Sequence, residues 1–223
     1  MTFDPISHLG AVTRRVEARQ WQDRPARVVV AERSYDTDAA DLWDALTDAV
    51  RLPRWFMPIS GELRLGGRYQ LEGNAGGTIT DCEPPRRLGV TWEFGGGMSW
   101  VFVTLTPEGA DRTRLLLEHI AHEDEQYMGF YQQFGPGAVG VGWDLSIMGL
   151  AEHIASGGSA KPRDEAAWLT EGEGKPFALG SAEAWGAAAI AFGDEAEAAR
   201  KAAAATAAFY TGGGEGQGAE QRD

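Results

Sequence analysis

The chain has 223 residues, 43% hydrophobic and 24% charged, with a formal net charge of −13. That length suits one sizeable domain with an extension, and the acidic balance argues against nucleic acid or an anionic membrane as partner, since both are held chiefly by Lys and Arg. A single cysteine, Cys82, excludes an internal disulfide and a cysteine-type zinc site; with no apolar run near about 18 residues and no secretory signal, a reduced cytoplasmic location is expected.

Residues 1–26 are mixed and polar and read as a solvated arm. Arg27 to Arg33, RVVVAER, is the first strand, by its β-branched run. Asp36, Thr37 and Asp38 then offer N-cap oxygens to a helix whose stripe is Ala39, Leu42, Trp43, Leu46 and Val50. Pro53 stops it, and RWF at 54–56 reads as a short helical turn.

From about residue 60 the period changes to two. Glu62 to Leu65 and Arg68 to Leu71 read as a hairpin through Gly66-Gly67. Further strands follow over Gly76–Glu83, Leu88–Phe94, Ser99–Thr106 and Arg112–Ile120, closed by Pro84-Pro85, Gly95-Gly96-Gly97 and the turn Pro107–Asp111. Short connections between successive strands predict an antiparallel meander.

His119 to Phe134 links sheet to helix. Gly137 to Gly157 is then the chain's long helix, with Val139, Trp143, Ile147, Leu150 and Ile154 on one face. Gly140, Gly142 and Gly149 interrupt it, each costing up to about 1 kcal/mol against Ala, so they are expected to be close-approach or mobility positions. After Gly157-Gly158 comes a boundary. Ser181 is expected to cap a helix bearing Trp185, Ala188, Ala189 and Phe192. Asp194 with Glu197 has capping-box spacing and opens an Ala-rich helix to about Tyr210, and the last residues, EGQGAEQRD, are expected to be disordered. The organisation is an arm (1–26), a main domain (27–158), and a linker with a helical tail (159–223).

Candidate chemistry is sparse. His119, His122, Glu123, Asp124 and Glu125 form one polar cluster, but His residues three apart suit a helix turn rather than a strand, so no metal site is assigned. Glu93 and Glu118 alternate with apolar neighbours and should point outward. Ser146 lacks a nucleophile elbow, Cys82 lacks an activating partner, and no catalytic residue or cofactor is assigned. The richer signal is aromatic: eight tryptophans in 223 residues imply a core or pocket lined by large rings.

The order of elements resembles the helix-grip fold of the SRPBCC (START, pollen-allergen-like) superfamily, and within it the branch named after the activator of the heat-shock-chaperone ATPase. The carrying residues are LWDALTD at 42–48, RWF at 54–56, GELRLGGRYQL at 61–71, TDCEPPRRLGVTWEF at 80–94 and TLTPEGADRTRLLLEH at 104–119. The resemblance implies an α+β fold: a curved antiparallel β-sheet wrapped around a long C-terminal helix, here with a helical C-terminal extension that is expected to cover or fill the cavity mouth. It implies a hollow between sheet and helix, for which Trp55, Tyr69, Trp92, Phe94, Trp100, Phe102, Leu117, His119, Trp143, Ile147 and Leu150 are the candidate lining. Strand parity alone leaves open which face of the Ser99–Thr106 strand is inner.

The functional expectation is non-catalytic binding of an apolar small molecule. The alternatives are a protein-interaction module, with a protein partner or a homodimer, and a cyclase- or hydrolase-type enzyme of the superfamily with His119 as the residue to test.

Overall fold

A computed structural model describes residues 4–159 and 165–213; the residues expected to be disordered at the extreme C-terminus lie outside these. The described chain begins with α1 (Pro5–Gly10), β1 (Thr13–Trp21) and β2 (Arg24–Tyr35), followed by α2 (Ala39–Thr47) and a 3-10 turn at Leu52–Arg54. Then come β3 (Ile59–Gly61), β4 (Arg68–Leu71), β5 (Gly76–Glu83), β6 (Arg87–Phe94), β7 (Gly97–Gly109) and β8 (Arg112–His122). The helices α3 (Glu125–Phe134), α4 (Gly137–Ala155), α5 (Glu165–Thr170), α6 (Gly174–Phe192) and α7 (Ala196–Tyr210) complete it.

The eight strands make one antiparallel sheet in the order β1-β2-β8-β7-β6-β5-β4-β3. Successive strands from β3 to β8 are neighbours, as short turns dictate, and β2 closes against β8 across the chain. The register settles the faces. Val90 opposes Val101, Leu88 opposes Val103, and these in turn oppose His119 and Leu117, so all six share the concave face. Gly89, Phe102 and Glu118 share the convex one.

The α4 helix lies across the concave face, with the Tyr35 hydroxyl donating to the Ile147 carbonyl at 3.1 Å. The principal core gathers Val29, Val101, Leu115, Leu117, Trp143, Ile147 and Leu150 with Val16 from β1 and Phe177 and Trp185 from α6. The grip is therefore shared: α6 packs over β1, while α4 faces the middle strands.

Close neighbours on α4 explain its glycines. A Cβ on Gly140 would overlap the buried Trp185 indole, and one on Gly149 would come within 2.8 Å of the Trp55 carbonyl oxygen. Gly142 faces the Tyr210 hydroxyl. The glycines are close-approach positions, two of them beneath the tail. Next to them, Asp144 is fully buried and its Oδ2 accepts from Arg14 Nε of β1 at 2.8 Å, from Trp185 Nε1 at 3.1 Å and from the Ser181 hydroxyl. Burial pushes the Asp144 carboxyl up, and the Arg14 guanidinium and the other donors pull it back.

Several elements differ from the reading of the sequence. Residues 13–21 are an edge strand rather than a solvated arm, because Arg14 and Val16 turn inward while Arg15 and Glu17 turn out. The hairpin strand is Ile59–Gly61, not Glu62–Leu65, because the latter residues form a loop tied to β5 by Gly66 N to Ile79 O at 2.8 Å. Ser181 is no cap: α6 starts seven residues earlier, at Gly174, and the hydroxyl serves Asp144. The cap of α7 is Glu195, whose side chain accepts from Glu197 N and Ala198 N, while Asp194 accepts from the Tyr131 hydroxyl at 2.7 Å. The aromatic run before α4 is itself a helix, α3, capped by Asp124.

Gly140→Ala should lower stability by about 1–3 kcal/mol, because overpacking against Trp185 outweighs the helix-propensity gain of about 1 kcal/mol. Gly129→Ala in α3, where a Cβ meets nothing within 4 Å, should instead raise stability. Denaturant unfolding of the pair checks this; equal effects would contradict the close-approach role.

Candidate functional site

Between the sheet and α4 is a cavity of about 390 Å³, within the range of small-molecule sites. Three groups of residues wall it. The α2 helix and the chain after it bring Trp43, Leu46, Trp55 and Phe56; strands β4 to β8 bring Tyr69, Ile79, Val90, Trp92, Val101 and Leu117; α4 brings Trp143, Ser146, Ile147 and Leu150. Leu115, Leu150 and Ile147 are almost completely buried and form the deep end. Leu63 and Arg64 line the cavity yet are exposed, which locates the mouth.

Several polar groups of the lining are already engaged within the fold. The Trp55 indole donates to the Ala45 carbonyl at 3.0 Å, the Tyr69 hydroxyl to Thr91 O at 2.8 Å, and the hydroxyls of Thr47 and Ser146 to helix carbonyls at 2.8 Å each. Burial pushes the Tyr69 hydroxyl above its ordinary range, which keeps it a neutral donor.

Of the residues proposed from the sequence, Trp55, Tyr69, Trp92, Leu117, Trp143, Ile147 and Leu150 line the cavity. Phe94 does not: it ends β6 beside the glycine turn and is 60% exposed. Trp100 and Phe102 do not either. They point to the convex face, packed with Val28, Val30 and Ile120 and covered by Trp21, whose ring centroid is 5.4 Å from that of Phe102. Antiparallel pairing sets Trp92 opposite Ser99, so Trp92 shares a face with Val101 and not with Trp100. Reading the sequence missed Trp43, Leu46 and Phe56, although their 3.6-residue stripe and RWF turn were visible; nothing local says that this stripe faces the hollow. Among the described residues the tail neither covers nor fills the mouth: no residue of α5, α6 or α7 is in the lining, and α6 and α7 pack elsewhere on α4.

His119 stands one layer behind the lining. Its Nδ1 accepts from the Trp143 indole N–H at 3.0 Å, so its Nε2 carries the proton and donates to the Ser99 hydroxyl at 2.7 Å. Both ring nitrogens are satisfied in the neutral form, and burial lowers the group from its ordinary 6.5 to about 4. His122, three residues on along a strand, lies on the opposite face against Trp100, with ring centroids 4.9 Å apart. Among the described residues no group of three His, Cys, Asp or Glu side chains is arranged to hold a metal ion. Glu93 and Glu118 point outward, paired with Arg68 and Arg19 at 2.8 and 2.7 Å. No described helix is long and apolar enough to cross a membrane.

The family model for activator of Hsp90 ATPase homolog 1-like proteins matches residues 36–155. The crystal structure of CalU16 from Micromonospora echinospora is 33% identical, over 81% of this chain and 99% of that one, with a TM-score of 0.65. Its solution structure gives 35% identity over 82% and 97%, again at 0.65. Protein MLL2253 from Mesorhizobium loti, 24% identical over 58% and 98% with a TM-score of 0.51, shares the fold. No curated protein matches. Fold and relatives fit a ligand-binding or polyketide-cyclase-like fold of the helix-grip type.

The neutral His119 predicts a pH dependence. Its depressed pKa means that the unfolded chain binds a proton below pH 6.5 that the folded chain refuses until about pH 4. The stabilisation is therefore complete above pH 6.5 and is lost as pH falls toward 4, by about 3 kcal/mol at 1.36 kcal/mol per unit. His119→Gln, which keeps an acceptor for Trp143, should flatten this part of the stability profile in chemical denaturation across pH 4–7; parallel profiles would contradict it.

Proposed function

This chain belongs to the family of activator of Hsp90 ATPase homolog 1-like proteins, and we propose that it binds an apolar small molecule, without chemically transforming it, in the cavity between sheet and α4. One observation carries the reading: a hollow of about 390 Å³ walled by the rings of Trp43, Trp55, Phe56, Tyr69, Trp92 and Trp143. A cavity of this size lined chiefly by apolar side chains and rings favours occupation by an apolar body, through removal of surface from water at about 25 cal/mol per Å².

The same residues support the reading without chemical transformation. A general acid or base must titrate near the working pH and reach the substrate. His119 does neither, being neutral, doubly hydrogen-bonded and screened by Trp143. Ser146 gives its proton to the Gly142 carbonyl.

The uncharged fluorescent probe N-phenyl-1-naphthylamine should bind the protein with increased emission and quench the cavity tryptophans. Leu117→Trp, which adds a ring at the deep end where Leu117 is 5% exposed, should weaken that binding at least tenfold while circular dichroism stays native. Undiminished binding by a folded Leu117→Trp variant would refute the reading.

A further inference from the structure

The charges around the cavity are distributed unlike those of the chain as a whole. Asp and Glu outnumber Lys and Arg 33 to 20 in the sequence, yet the lining holds no acid and a single base, Arg64. We propose that the bound molecule carries an anionic terminal group, a carboxylate or a sulfonate, that pairs with Arg64 at the mouth while its apolar body fills the hollow. The inference rests on the cavity-binding function proposed above.

Arg64 is held where such a contact needs it. Its loop is tied to β5 by two reciprocal backbone hydrogen bonds, Gly66 N to Ile79 O at 2.8 Å and Ile79 N to Gly67 O at 3.0 Å, and Ile79 itself lines the cavity. A tight turn, Gly67 N to Arg64 O at 2.8 Å, fixes the Arg64 backbone within that loop. The side chain is 70% exposed and so remains hydrated at the mouth rather than buried as an unpaired charge.

Its present partner is weakly held. Glu62 Oε2 lies 2.5 Å from Arg64 Nη2, but the two side chains are 65% and 70% exposed, and pairs of that kind contribute little in water. Glu62 is not part of the lining. A ligand anchored by its apolar body presents its head group to Arg64 at high effective concentration, so exchanging Glu62 for the ligand costs little. A guanidinium also suits a planar carboxylate geometrically. A cationic head would meet the same guanidinium with no carboxylate in the lining to offset it. The long-range repulsion of an anion by the acidic surface is screened beyond about 8 Å at physiological ionic strength, so the local group decides.

A matched pair of probes tests this: 1-pyrenebutyrate and 1-pyrenebutanol, which share ring and tether and differ in the head group. Titrated by pyrene fluorescence, the full-length protein should bind the acid about threefold to tenfold more tightly than the alcohol, the modest gain expected of a charge-assisted bond at a solvated site. Arg64→Gln should abolish the difference, and Arg64→Glu should reverse it. If both probes bind equally well to the unmodified protein, or if Arg64→Gln keeps the preference for the acid, the anionic head group is ruled out and cavity binding stands. If neither probe binds, cavity binding itself fails and the inference falls with it.

Discussion

The structure turns on one buried carboxylate. Asp144 sits in the middle of α4 with its side chain fully buried, and a single oxygen of it takes three donors from two other elements: Arg14 of β1, and Ser181 and Trp185 of α6. Such a pair is costly to desolvate, and by itself is weak support for stability. Its consequence is positional. Removing Arg14 or Asp144 would strand a buried charge, so edge strand, long helix and tail helix must share one arrangement.

That arrangement leaves the opposite side of α4 free for the cavity. Trp143, adjacent to Asp144 in sequence, points the other way, lines the hollow and donates to His119. The helix is thus clamped on its outer side by polar contacts and by the close seat of Trp185 on Gly140. On its inner side it meets rings that touch but do not fill the space: Trp92 and Trp143 lie edge to face, 5.1 Å between centroids. A helix held firmly from behind can leave a hollow in front without collapsing into it, although empty apolar space forfeits dispersion contacts. Gly140 and Gly142, which weaken the helix intrinsically, are what allow the tail helices to approach.

Two aromatic populations serve different ends. Those on the concave face wall the cavity. Those on the convex face, Trp21, Trp100 and Phe102, with Arg87 over the Phe102 ring at 4.7 Å, form a second small core that covers the back of the sheet. The convex core rigidifies the strands that carry the lining, and the two are separated by one residue of strand parity.

The sequence by itself determined the antiparallel meander followed by a long helix, the helix-grip resemblance and part of the aromatic lining. These rest on local signals: period-two alternation, proline and glycine punctuation, and a 3.6-residue stripe. It also marked Gly140, Gly142 and Gly149 as anomalous, because a glycine inside a helix has a local cost whatever its neighbours. What only the tertiary structure decided is which way things face and what meets them. Trp100 and Phe102 alternate as convincingly as Val101 and Val103, and the choice between them depends on register with β6 and β8, which is a long-range property. Residues 13–21 look like a polar arm because an edge strand needs few apolar residues, and its inward Arg14 is intelligible only once Asp144 is opposite it. Ser181 looks like a cap because caps and buried donors use the same hydroxyl. Charge, parity and glycine are written in the chain; their partners sit on other elements, and folding alone brings them together.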